Sequence, residues 1–93
     1  MDNYKRRDDR VSVALPVNIG IARGVTRDVS ASGVFFETSA TLDIGSAISF
    51  TVEFDAPSGK MELKCSGVIV RTETHEDGVG VAVKITESSM VSA

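Results

Sequence analysis

Val11-Ser12-Val13-Ala14-Leu15-Pro16-Val17-Asn18-Ile19-Gly20-Ile21-Ala22 alternates apolar with small or polar side chains over its whole length. A period of two sustained this far predicts a β-strand with one face turned to a core. Pro16 falls on the opposite face and has no N–H for a ladder, so an edge position or a bulge is expected there. Charged residues lie on both sides of the strand: Lys5-Arg6-Arg7-Asp8-Asp9-Arg10 precedes it, and Asp28-Val29-Ser30-Ala31-Ser32-Gly33 follows.

Downstream, the same period returns in short pieces. Arg23-Gly24 reads as a tight turn, and Val25, Arg27 and Val29 as one face of a second strand. Ser30–Gly33 has turn chemistry, and Val34-Phe35-Phe36 restarts an apolar strand that ends near Thr38. A loop with apolar anchors at Leu42 and Ile44 leads to Ile48, Phe50, Val52 and Phe54, which alternate cleanly. Asp55–Lys60 is the clearest hairpin turn, after which Met61, Leu63 and Cys65 share a face. The phase is lost at Gly67, since Val68, Ile69 and Val70 are all apolar, and a glycine at such a point predicts a bulge. Thr72–Asp77 is polar, Asp77-Gly78 reads as a turn, and Val79, Val81, Val83 and Ile85 form the last alternating strand.

No window carries a helical period. The expected fold class is therefore all-β, a six-stranded antiparallel barrel, since closure removes exposed edges. Residues 1–10 have no apolar period and are expected to form a flexible arginine-rich arm. The barrel is expected over residues 11–86, with 87–93 as a short C-terminal tail too brief for a stable helix.

At 93 residues the chain is one small domain. It has a single cysteine, so no internal disulfide is possible, and the thiol fits a reducing compartment. No apolar run approaches the ~20 residues of a membrane span, and the start has no secretory leader pattern, so a cytoplasmic location is expected. Net charge is −3, with a sequence pI near 5.0, which speaks against DNA, RNA or an acidic membrane as partner. The positive charge is concentrated: residues 1–10 carry net +1 and the remainder net −4. That distribution suits a small anion.

Catalysis has little support. His75 sits between polar neighbours in a loop-like stretch, and Cys65 lies on the apolar phase of a strand, where a thiol is inert. One His and one Cys cannot build a zinc site. The chain reads as a non-enzyme with no cofactor or metal.

Ligand binding is better served. Arg6 and Arg10 stand four apart with Arg7 between them, and a guanidinium fork can grip a phosphate or the O6/N7 edge of guanine. Asp28 is an acceptor suited to the N1–H and N2–H₂ donors of guanine, Ser30 adds a hydroxyl, and Gly33 has no Cβ to block close approach. Together these types describe a guanine-nucleotide reader. Each segment alone reads more readily as a solvated tail or an ordinary turn.

The spacing Arg6-x-x-x-Arg10, then Asp28-x-Ser30-x-x-Gly33 across one strand, resembles the PilZ domain. Gly67-Val68-Ile69-Val70-Arg71 and Gly78-Val79-Gly80-Val81 resemble that family's closing strands, so the likeness runs from about Lys5 to Ile85. It implies a PilZ-like six-stranded barrel that binds cyclic di-GMP, with Arg6 and Arg10 on phosphates and guanine and Arg7 assisting. It also implies that Asp28 and Ser30 contact a guanine and that Gly33 shapes the turn beneath it. Lys5, just before the arginine pair, implies an intercalated ligand dimer. Family members often add a C-terminal helix, for which residues 86–93 are too few. A signal would then pass through the ordered arm or the barrel surface to an effector protein. The alternative is a PilZ-like protein–protein adaptor that binds no nucleotide. A barrel for single-stranded nucleic acid would want stacking aromatics along a basic groove, and the chain has no Trp and one Tyr.

Overall fold

The computed structural model describes residues 10–93, and these form strands and turns with no helix. The strands are β1 (Val11–Ser12), β2 (Pro16–Asn18), β3 (Arg23–Val29), β4 (Gly33–Thr38), β5 (Ala47–Ala56), β6 (Gly59–His75) and β7 (Gly78–Ser92). Every pairing is antiparallel. Around the ring, β3 pairs β2, β2 pairs β5, and the circuit continues through β6, β7 and β4 back to β3. Six strands thus close a barrel, with β1 as an extra short strand on the end of β3.

Closure follows from which face each strand keeps dry. Val17, Val34, Phe36, Phe50, Val52, Cys65, Ile69, Val81 and Val83 are buried and form one core. The Phe36 and Phe50 rings meet at 5.5 Å with a 49° tilt, a geometry aromatic pairs favour. Leu42 packs against this core, whereas Ile44, expected as a second anchor, is exposed.

The strand expected over residues 11–22 is split in two. The register to β3 differs by one residue between β1 and β2, and the break spans residues 13–15. Thr26, fully buried, fills it: its Oγ1 accepts the Leu15 N–H at 2.8 Å and donates to the Val13 carbonyl. A side chain thus replaces the missing ladder bonds, and Pro16 resumes pairing just after the break. Replacing Thr26 with valine is expected to leave both backbone groups without their partner and to cost about 1–3 kcal/mol. Urea unfolding followed by circular dichroism measures this, and an unchanged midpoint contradicts the assignment.

The turn expected at Arg23-Gly24 lies earlier, at Gly20-Ile21. Gly20 takes φ of 88°, Ile19 N–H donates to the Ala22 carbonyl at 3.0 Å, and the Gly20 N–H donates to Asn18 Oδ1 at 2.8 Å. Gly24 is instead a strand residue at which a Cβ would collide with the Glu37 carbonyl.

Two further boundaries moved outward. Thr72–His75 continue β6, and residues 87–92, expected as a tail, continue β7 to pair with Met61–Ser66. In both stretches backbone pairing to a long neighbour sustains the strand without an apolar period.

Among the described residues, three bulges interrupt the ladders. The one expected near Gly67 falls where the β6–β7 register shifts between Ser66 and Gly67. A second lies between Ile69 and Arg71, leaving Val70 as the extra residue. A third lies between Thr26 and Asp28, with Arg27 extra, so Val25, Arg27 and Val29 do not share one regular face. A bulge turns the following side chain to the other face of the sheet.

Candidate functional site

Strict alternation after buried Thr26 would send Asp28 inward. The bulge at Arg27 instead sets Asp28 opposite Phe35, a residue between buried Val34 and Phe36 that faces outward. On β6, the bulge at Val70 leaves both Val70 and Arg71 on the outer surface. The ladders then give one continuous row across four strands, Asp28 on β3, Phe35 on β4, Ala82 on β7 and Arg71 on β6.

This row crosses an open groove of about 580 Å³. Arg10, Asp28, Ser30 and Gly33 line it, together with Arg71 and Lys84. Of the residues expected at a site, these four are brought together. Lys5, Arg6 and Arg7 lie outside the described residues.

Ser30 and Gly33 close the turn between β3 and β4. The Ser30 N–H donates to the Gly33 carbonyl at 2.9 Å, and its hydroxyl reaches the same oxygen at 3.2 Å. With its proton engaged, the Ser30 hydroxyl offers lone pairs to the groove. Gly33 is required by packing: a Cβ there would stand 2.9 Å from the Val83 carbonyl. Asp28 Oδ1 accepts the Ser12 hydroxyl at 3.1 Å, which leaves its second oxygen available as an acceptor.

Among the described residues, three cations and one carboxylate thus line the groove, on a chain whose net charge is −3. Such local concentration raises the concentration of an anion at the surface. Arg71, Lys84 and Phe35 were not singled out by their sequence positions. Arg71 ends an apolar run and Lys84 alternates with buried Val83 and half-buried Ile85, patterns that any surface strand residue shares. Only the cross-strand register places them beside Asp28.

The groups considered for catalysis lie elsewhere. Cys65 is buried, and burial pushes its thiol pKa up, so it stays protonated and unreactive near neutral pH. His75 sits at the surface, 3.7 Å from Glu73 and 4.0 Å from Glu37. Among the described residues no cluster of His, Cys, Asp and Glu is arranged to hold a metal ion, and no helix is long and apolar enough to cross a membrane.

A family model for the PilZ domain matches residues 3–92. The chain belongs to the PilZ domain family. PilZ domains are binding modules rather than enzymes, and generally receptors for cyclic di-GMP. Among solved structures, the fold is similar to that of the Bacillus subtilis inhibitor of motility (MotI/DgrA), with a TM-score of 0.78 at 14% sequence identity. The match covers 94% of this chain and 44% of the Bacillus protein, so this PilZ domain spans less than half of that chain. No curated protein matches the sequence.

Proposed function

We propose that this PilZ domain is a cytoplasmic receptor for cyclic di-GMP, bound in the groove between the Ser30–Gly33 turn and strands β6 and β7. The observation that carries the reading is the meeting of Arg10, Asp28, Ser30 and Gly33 along one groove that also holds Arg71 and Lys84. In this reading Arg10 binds the ligand phosphates, joined by Arg6 and Arg7 from the leading segment, with Lys5 beside them. Asp28 accepts the N1–H and N2–H₂ donors of a guanine, Ser30 contacts the same base, and Gly33 shapes the turn beneath it. Arginines on phosphates draw the leading segment onto the barrel, and the surface so formed relays the signal to an effector protein. The motility-inhibitor name of the structurally similar Bacillus protein supports a role exerted on another molecule.

Calorimetric titration with cyclic di-GMP tests the assignment directly, and an adaptor that binds no nucleotide gives no heat. Replacing Asp28 with alanine is expected to weaken cyclic di-GMP by at least about tenfold, since hydrogen bonds to charged groups contribute roughly 1.5–3 kcal/mol. The adenine counterpart is expected to lose less. Equal losses for both ligands remove the guanine-reading role of Asp28.

A further inference from the structure

Phe35 and Arg71 lie in the groove but in neither sequence motif, and Glu73 holds Arg71 from outside it. The Phe35 ring rests on the backbone of Gly80, where a Cβ would meet Cζ at 2.7 Å and Cε1 at 3.2 Å. Above the ring, the Arg71 guanidinium carbon lies 5.5 Å from its centroid. Arg71 Nε is also held by Glu73 Oε2 at 3.2 Å. Two anchors therefore position the guanidinium, yet its side chain remains 60% exposed. Asp28 stands on the neighbouring strand, directly opposite Phe35 in the ladder.

We propose that Arg71, held over Phe35, is a stacking platform for a purine base, so that the groove takes one guanine by its face at Arg71 and by its edge at Asp28. This rests on the cyclic di-GMP reading and deepens it. A guanidinium is planar and weakly hydrated, and it stacks flat on π systems. The charge of Arg71 is already countered by Glu73, whereas Lys84 has no carboxylate partner among the described residues. Lys84 is therefore the better phosphate ligand on this wall, and Arg71 the better surface for a base. Stacking is tolerant of base identity, while hydrogen bonding at the edge is not. The two residues divide the work: Arg71 supplies affinity, and Asp28 selects guanine.

The test titrates the full chain with cyclic di-GMP and with its adenine counterpart, comparing the wild type with Arg71→Lys and Phe35→Leu. Lysine keeps the charge and removes the plane, and leucine keeps an apolar support and removes the ring. Arg71→Lys is expected to weaken both ligands by the same factor, about tenfold. The preference for guanine and the melting temperature of the unliganded protein stay unchanged, and Phe35→Leu acts in the same direction. A nuclear Overhauser contact from the ligand H8 proton to the Arg71 side chain is expected in the wild type. If the wild type binds and Arg71→Lys binds equally well, Arg71 acts by charge alone and the platform is overturned while the receptor assignment stands. If Arg71→Lys changes the guanine preference, Arg71 reads the base edge, and stacking is again overturned. A wild type that binds neither ligand overturns both assignments.

Discussion

Replacing Arg10 with alanine is expected to weaken cyclic di-GMP binding by at least about tenfold, or 1.4 kcal/mol, with the fold unchanged. Arg10 is exposed and lines the groove beside Asp28, so its side chain contributes little to the packed barrel. Surface substitutions of this kind stay within about 0.5 kcal/mol in stability. The binding loss follows from charge. A guanidinium–phosphate contact contributes roughly 1.5–3 kcal/mol, more than the roughly 1.4 kcal/mol of a tenfold change in affinity. Losing one such contact therefore cannot be absorbed by the rest. Calorimetry on the wild type and Arg10→Ala measures the effect, and equal affinities contradict the role of Arg10. The loss should shrink as salt is raised, because screening weakens the exposed pairing in the wild type.

The neighbours Phe35 and Phe36 are expected to behave in opposite ways. Phe36 is fully buried against Phe50, and truncation to alanine opens a cavity at the centre of the barrel. Such losses run to about 3–5 kcal/mol, against a total stability for small domains of about 5–15 kcal/mol. Phe36→Ala should leave a marginal or unfolded barrel, with a much lower urea midpoint by circular dichroism. Phe35→Ala removes an outward ring over Gly80, so it should keep most of the stability and lose ligand affinity instead. Similar stability losses for the two variants would contradict the assignment of inner and outer faces.

The same pair shows how far the sequence could be read. Val34-Phe35-Phe36 is an apolar run without alternation, so nothing local says which ring faces inward; pairing with β3 and β7 decides it. Where the period is clean, as at Ile48, Phe50 and Val52, strand and inner face were legible, because each residue's burial follows from its own position. The break at residues 13–15 was not, since it depends on Thr26 reaching across from another strand. The long ends of β6 and β7 were missed for a related reason: Thr72–His75 and Glu87–Ser92 are held by each other's partner strands rather than by an apolar pattern.

At the site, Arg10, Asp28, Ser30 and Gly33 were legible because their types and spacing sit within 24 residues of chain. Arg71 and Lys84 come from strands far downstream. Their approach to Asp28 depends on bulges at Arg27 and Val70, which residue types alone do not fix.

The most direct test of the central claim is a heteronuclear NMR titration of the full chain with cyclic di-GMP. The account predicts saturable shifts at micromolar ligand, concentrated on the amides of Arg10, Asp28, Ser30, Gly33 and Phe35. No shifts at these concentrations would contradict it. So would shifts at the groove around Asn18, Thr51 and Lys64 that leave the Asp28 turn unmoved.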